Sequence, residues 1–135
     1  MIVPLGRTLT AAELPVLRSH GLSMWGYSVL LALRTKPVRT QAALAESIGA
    51  DKTRIIGVLD ELQQAGLIRR DPDPADRRVH LLSLTEPGRQ RREAAQAAIQ
   101  HQEERLLARL PPADRQAFIR VLRTLSSLPP DELIG

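Results

Sequence analysis

The chain has 135 residues, of which 43% are apolar, so it has room for one domain with a modest hydrophobic core. Its 19 basic and 15 acidic side chains give a net charge of +4, which favours a polyanionic partner. The absence of cysteine excludes disulfide scaffolds, thiolate metal sites and cysteine-based redox sensing. No apolar run approaches the ~20 residues of a membrane span, so we expect a soluble cytoplasmic protein that does not bind membranes.

Two helices are predicted in the first third of the chain. Thr10 and Glu13 have the spacing of a capping box, which predicts a short first helix that runs to about His20. Ser23 then offers an N-cap for a second helix, and Pro37 ends that helix.

A helix-turn-helix is predicted next. Thr40 can cap a short third helix, Gly49 closes it, and Asp51 starts the fourth. Gly66 supplies the left-handed stop after the fourth helix. Apolar residues in that helix recur at i, i+3, i+4 and i+7, which predicts one buried stripe made of Ile55, Val58, Leu59 and Leu62.

A β-hairpin and two further helices complete the predicted fold. The strand-like segments 67–70 and 79–84 flank a tip whose prolines lack the N–H donors of a central strand. Thr85 can cap a long helix over 86–110, and a last helix over 112–128 ends at two prolines. The fold class is therefore mainly α with a small β-hairpin wing. This winged helix-turn-helix is a shape whose commonest ligand is double-stranded DNA.

Helix four carries the first candidate binding residues. If its apolar stripe faces the core, Thr53 and Gly57 point away from the core, with Arg54 and Ile56 on the flanks. Lys52 adds a second positive charge to the first turn, whereas the acidic residues lie near the end. The N-terminal half is therefore predicted to enter a groove of DNA. The mid-helix glycine either permits close approach of the backbone or is neutral drift.

The hairpin tip carries the second candidate group. Arg77 and Arg78 lie on a loop that prolines restrict, so less conformational entropy is lost when they contact phosphates or a minor groove. Either arginine alone also fits a solvated surface charge. We include Thr40, at the start of helix three, among the candidate DNA contacts.

Four segments of the sequence carry a family resemblance. The string DPADRR over residues 73–78, followed by LTEPG over 84–88, is the most specific of them. The other two are the run LQQAGLIR over 62–69 and the sequence Gly21-Leu22-Ser23 with Tyr27. Over roughly residues 21–128 the chain resembles the MarR (multiple antibiotic resistance regulator) family.

The resemblance implies a homodimeric winged-helix transcriptional regulator. Two-fold symmetry predicts a pseudo-palindromic operator, and we expect repression, because a dimer over a promoter blocks polymerase; activation is the alternative. Helix four would be the recognition helix, and the wing would reach the minor groove. Arg78 matches the wing-tip arginine of the family, and Asp76 matches the acid that orients it. Family members often carry an arginine where this chain has Gly57, so Lys52, Thr53 and Arg54 would carry more of the base reading.

The resemblance also assigns two lobes to a single MarR-type domain over residues 1–135. Residues 23–85 would form the winged-helix DNA-binding lobe, and residues 8–22 together with 86–130 would form a helical dimerisation lobe. Only twenty residues precede Gly21, and prolines and a glycine interrupt them. We therefore expect the last two helices to supply most of the dimer interface.

Many relatives release DNA when a small phenolic or lipophilic anion binds between the two lobes. His20, Trp25 and Tyr27 fall near that cleft by the resemblance and are the candidate effector residues. Each also has a structural alternative. Tyr27 fits an aromatic core position, Trp25 can cover an interface, and His20 can cap helix one.

An enzyme is the main alternative from another class. His20, His80 and His101 are scattered without metal-ligand spacing, and the sequence shows no glycine-rich phosphate loop. His101 and Glu104 offer only two ligands, which is an incomplete metal site. We predict no enzymatic activity, no metal and no cofactor. A third alternative, a winged-helix protein-interaction module without DNA binding, fits the missing arginine at Gly57.

Overall fold

The computed structural model describes residues 1–38 and 40–134, which contain seven helices and one two-stranded hairpin. The helices are α1 (Ile2–Ser19), α2 (Met24–Ala32), α3 (Gln41–Ile48), α4 (Lys52–Gln64), α5 (Glu86–Leu107), α6 (Pro112–Ser126) and α7 (Pro130–Ile134), and the strands are β1 (Ile68–Pro72) and β2 (His80–Leu84). Two compact units divide the chain, one over Met1–Ile99 and one from Gln100 onward. Within the described ranges, none of the helices has both the length and the apolar content that crossing a bilayer requires.

The first helix is longer than predicted. The expected start near Thr10 was wrong, because α1 begins at Ile2 and continues through Gly6 and Pro15 to Ser19. Both interrupting residues are exposed, and their costs of ~1 and ~3 kcal/mol are local penalties that neighbouring helix-forming residues can offset. Thr10 therefore lies inside α1 and does not cap it.

The predicted caps in the helix-turn-helix are confirmed. Ser23 Oγ accepts a hydrogen bond from the Gly26 amide at 3.0 Å, and Thr40 Oγ1 accepts one from the Ala43 amide at 2.9 Å. Gly49 closes α3 in the left-handed conformation, with φ of +70°. The predicted stripe of α4 is buried at Ile55, Leu59 and Leu62 and half-buried at Val58. These side chains belong to the core of the first unit.

The hairpin is confirmed with small changes of its bounds. The antiparallel register runs from Ile68 opposite Leu84 to Pro72 opposite His80, so β1 extends two residues beyond the predicted strand. Pro72 is tolerated there because it occupies the outermost pair of the hairpin and, within the described residues, β1 pairs with a strand on one side only. A bridge that the sequence did not predict joins Val38 to Leu82 through N–H to O distances of 2.9 and 2.7 Å.

The start of α5 packs directly against the backbone of Leu67, the residue before β1. Thr85 caps the helix as predicted, since its Oγ1 accepts from the Gly88 amide at 3.0 Å. The Thr85 amide donates to the Leu67 carbonyl oxygen at 3.1 Å. A Cβ on Gly88 would lie only 1.9 Å from that same carbonyl oxygen. The close approach of helix and strand therefore requires glycine at this position.

Two arginines tie down the first turns of α5. Arg91 Nη1 donates to the His20 carbonyl oxygen at 3.0 Å, beyond the end of α1. Two residues earlier, Arg89 hydrogen-bonds the Glu86 carboxylate and thereby lowers the pKa of Glu86. An ionised carboxylate in the first turn also suits the helix dipole.

The second unit contains the end of α5, α6 and α7. Arg115 of α6 donates to the carbonyl oxygens of Leu107 at 3.1 Å and Leu110 at 3.3 Å, which satisfies backbone acceptors at the end of α5. The last helix was predicted to end at Pro129-Pro130, but a further helix follows α6. Pro130 begins the short helix α7, because a proline is acceptable at the first helical position.

Candidate nucleic-acid interface

The first turn of α4 presents positive charge to solvent. Lys52, Thr53 and Arg54 are all exposed, as the predicted orientation of the helix requires. Asp51 caps the helix, and its Oδ1 accepts from the Thr53 amide at 3.3 Å. Two cationic side chains at a helix N-terminus, where the dipole is also positive, form a local anion-binding surface.

Ile56 and Gly57 of α4 form an exposed surface without polar side chains. Ile56 is 43% exposed, although its neighbour Ile55 is buried in the core. A Cβ added to Gly57 would meet no atom within 4 Å, so nothing inside the chain requires glycine there. Another surface could therefore approach the helix backbone closely at this point.

Thr40 lies at the start of α3 and is exposed. Its hydroxyl oxygen already accepts the capping hydrogen bond from Ala43. A hydroxyl that accepts one hydrogen bond can also donate one, for example to a phosphate oxygen. Its capping role and a contact with DNA are thus compatible.

The wing tip is held by hydrogen bonds centred on Asp73. This buried carboxylate accepts from the Ala75 amide at 2.9 Å, and the Asp73 carbonyl accepts from the Asp76 amide at 3.1 Å. The Asp73 amide donates to the Val79 carbonyl at 2.7 Å, which closes the loop. Sequence reasoning missed Asp73 as a fixing residue, although an aspartate that bonds the backbone two residues on is a common turn signal.

Asp76 and Arg78 are brought together at the tip. Asp76 Oδ1 accepts from the Arg78 amide at 3.1 Å and from Arg78 Nε at 3.2 Å. The Arg78 side chain is nevertheless 91% exposed, so the carboxylate holds the Nε edge of the guanidinium while the rest of that group reaches solvent. Such an exposed ion pair adds little stability, and its main effect is to orient the arginine. Arg77 is exposed beside it.

A further ion pair links α4 to β1 of the hairpin. Arg70 Nη2 of β1 lies 3.2 Å from Asp60 Oδ1 of α4, and the Arg70 side chain is only 24% exposed. Sequence analysis placed Asp60 only among the acidic residues near the end of helix four. A spacing of ten residues between two different elements gives no periodic signal, so this pairing could be found only in the fold.

Comparison with known proteins decides the family. The MarR family model matches residues 22–80. A protein of Thauera aromatica named "Putative transcriptional regulatory protein for hcr operon" is 34% identical over 119 residues, which cover 88% of this chain and 68% of that protein. The chain belongs to the MarR family. The predicted resemblance and the expected class, a transcriptional regulator, are thereby confirmed.

Solved structures of MarR-family proteins confirm the predicted fold class. A structure of the transcriptional repressor CouR bound to a 23-mer DNA duplex is 29% identical, with a TM-score of 0.78, and covers 93% of this chain and 89% of its own. CouR of Rhodococcus jostii RHA1 bound to p-coumaroyl-CoA is also 29% identical, with a TM-score of 0.75 and coverages of 95% and 90%. Mycobacterium tuberculosis Rv2887 in complex with p-aminosalicylic acid is 26% identical, with a TM-score of 0.79 and coverages of 93% and 95%.

The candidate effector residues of this MarR-family protein occupy different environments. Tyr27 is buried in the core, Trp25 is half-buried, and His20 is the C-cap residue of α1. An open groove of about 350 Å³ is formed by Ser28, Leu31, Ala32, Arg34, Thr35, Ser47 and Ile48. The three candidate effector residues do not line this groove. Across residues 1–38 and 40–134, no group of three or more histidine, aspartate or glutamate residues could hold a metal ion.

Proposed function

We propose that this MarR-family regulator is a homodimeric repressor that binds a pseudo-palindromic operator in double-stranded DNA and releases it when a small aromatic anion binds. Its place of action would be the cytoplasm, where the operator is accessible. We propose no catalytic role, since the relatives are named as transcriptional regulators. The assignment of residues 23–85 to DNA binding and of the remaining helices to dimerisation is part of the proposal.

The observation that carries the proposal is the pairing of a cationic helix start with a fixed arginine. Lys52 and Arg54 are placed to contact phosphates as the first turn of α4 enters a major groove. Arg78 projects from a wing whose tip is closed by its own hydrogen bonds, and a narrow minor groove attracts such a side chain. Thr40 and Arg77 would add contacts to the backbone of the duplex, which position the protein without reading sequence.

Dimerisation is supported by exposed apolar side chains in both units. On α1 these are Ile2, Val3, Leu5 and Leu9, and on α6 they are Phe118, Val121, Leu122 and Leu125. The residues of α6 are spaced at i, i+3, i+4 and i+7, so they form one apolar stripe, and none of them is buried. Since α1 extends over Ile2–Ser19, we now propose that it contributes to the interface together with α5 and α6. Two-fold symmetry would place the recognition helices about 10 bp apart.

The proposed class of effector is based on the ligands of two relatives. Two relatives were solved with p-coumaroyl-CoA and p-aminosalicylic acid, which both contain a para-substituted aromatic ring with an acyl or carboxyl group. We therefore propose an aromatic acid or its coenzyme A thioester as the effector of this chain. Trp25, which is half-buried, is the better candidate for ring stacking, whereas Tyr27 would have to leave the core. His20 would offer an imidazole for the anion.

Selection of duplexes from a random pool tests the proposal. Purified protein should enrich a pseudo-palindrome whose half-sites are about 10 bp apart. Repeating the selection with p-aminosalicylic acid, p-coumaric acid and p-coumaroyl-CoA should reduce recovery with at least one of them. A pool that stays random at low salt would contradict the proposal. Enrichment that no acid reduces would contradict only the effector assignment.

A further inference from the structure

We propose that Ile56 reads the C5-methyl group of a thymine in each half-site of the operator. The inference rests on the proposed function, since it names a base that the recognition helix would select. Ile56 is 43% exposed, and the buried stripe of α4 is complete without it. Its side chain is therefore available to a partner and has no role in the core.

The choice of residues at this spot is costly for the helix. Ile56 is β-branched and Gly57 is the most flexible residue, so both are poor helix formers at solvent-exposed positions. Gly57 has open space where a side chain would stand. Nothing within 4 Å inside the described chain requires glycine at position 57, which points to an external surface that approaches the helix there.

The neighbouring charges favour DNA as that surface. Lys52 lies one turn before Ile56, and Arg54 lies two residues before it. Asp60 lies one turn after Ile56, but Arg70 pairs with its carboxylate at 3.2 Å and reduces its repulsion of phosphates.

Among the groups that base pairs present in the major groove, one offers an apolar contact to an aliphatic side chain. The major groove presents hydrogen-bond donors and acceptors on every base pair, and its apolar group is the methyl of thymine. Ile56 has no polar atom beyond its backbone, so it can discriminate bases only through apolar contact. The absence of a side chain at Gly57 would let the helix come close enough for this contact.

Replacing thymine with deoxyuracil tests the contact, because this change removes only the methyl group. In a duplex recovered by selection, each thymine is replaced in turn and affinity is measured by fluorescence anisotropy. We expect one position per half-site at which wild-type protein binds about fourfold more weakly, and about 15-fold more weakly when both half-sites are changed. Ile56→Ala should bind the thymine and deoxyuracil duplexes equally, and Ile56→Val should show an intermediate difference.

Gln63→Ala is the matched control, since Gln63 is exposed on the same helix but lies near its C-terminal end. This variant should keep the full thymine preference. Wild-type protein that binds its operator but is indifferent to every deoxyuracil would overturn the inference and leave the proposed function intact. The same is true if Ile56→Ala retains the wild-type preference. If the selection recovers no duplex that the protein binds, the proposed function is refuted together with this inference.

Discussion

Replacement of Gly88 by alanine should destabilise the first unit severely. The added Cβ would lie 1.9 Å from the Leu67 carbonyl oxygen, 2.8 Å from its carbonyl carbon and 3.2 Å from its Cα. A carbon and an oxygen atom make comfortable contact at about 3.3 Å, so helix and strand would have to separate by roughly 1.4 Å. This shift would stretch the hydrogen bond from the Thr85 amide to Leu67, now 3.1 Å, and loosen the buried Leu67 side chain.

Overpacking of this kind against backbone atoms costs about 3 kcal/mol or more. For a chain of 135 residues this loss corresponds to a decrease of roughly 10 °C in Tm. The assay is thermal unfolding followed by circular dichroism at one fixed protein concentration, since dimerisation makes Tm depend on concentration.

Two other helical glycines provide matched controls. A Cβ on Gly6 or Gly57 would meet no atom within 4 Å, so alanine at either position should raise stability by up to ~1 kcal/mol through helix propensity. A Tm for Gly88→Ala within about 2 °C of the wild type would show that α5 does not approach the Leu67 backbone as described.

Three further outcomes follow from the same geometry. Gly57→Ala should weaken operator binding by roughly threefold to tenfold although it stabilises the helix, because the added methyl group keeps the DNA groove away from the helix backbone. Unchanged affinity in an anisotropy titration would favour neutral drift at Gly57. Asp60→Ala and Arg70→Ala should show a coupling energy of about 0.5–1 kcal/mol in a double-mutant cycle measured by urea unfolding. If the two losses of unfolding free energy are strictly additive, the 3.2 Å ion pair contributes nothing to stability. Phe118→Asp should weaken dimerisation at least about 30-fold in analytical ultracentrifugation, whereas Gln116→Asp on the same helix should leave it unchanged. A stable dimer of the Phe118 variant would exclude the apolar stripe of α6 from the interface.

Local signals in the sequence predicted most of the helix-turn-helix and the wing. Ser23 and Thr40 cap their helices as expected, because a hydroxyl or carboxylate at the N-cap satisfies amides within the same turn. The spacing of Ile55, Leu59 and Leu62 gave the buried face of α4, and its opposite face is exposed as predicted. These features depend on residues within one or two turns of each other.

The features that the sequence did not reveal depend on contacts between distant segments. The bridge from Val38 to Leu82 joins residues far apart in sequence, and a single bridging residue shows no strand periodicity. The extent of α1 was mispredicted because Gly6 and Pro15 were weighed as breaks, although each costs only a local penalty inside an otherwise favourable helix. The role of Gly88 also required the fold, since the backbone it approaches is that of Leu67, in a distant segment of the chain. The roles of the candidate DNA-binding and effector residues remain predictions.

The salt dependence of operator binding tests the central claim most directly. If the protein neutralises six or more phosphates, its affinity for the selected duplex should fall about 1000-fold or more between 50 and 200 mM salt. Arg78→Ala removes one wing contact per protomer and should reduce the slope of log affinity against log salt by about 1.8, whereas Arg109→Ala, an exposed arginine outside the wing, should leave it unchanged. Binding that hardly responds to salt, with equal slopes for wild type and Arg78→Ala, would contradict the account and favour an interaction module that does not bind DNA.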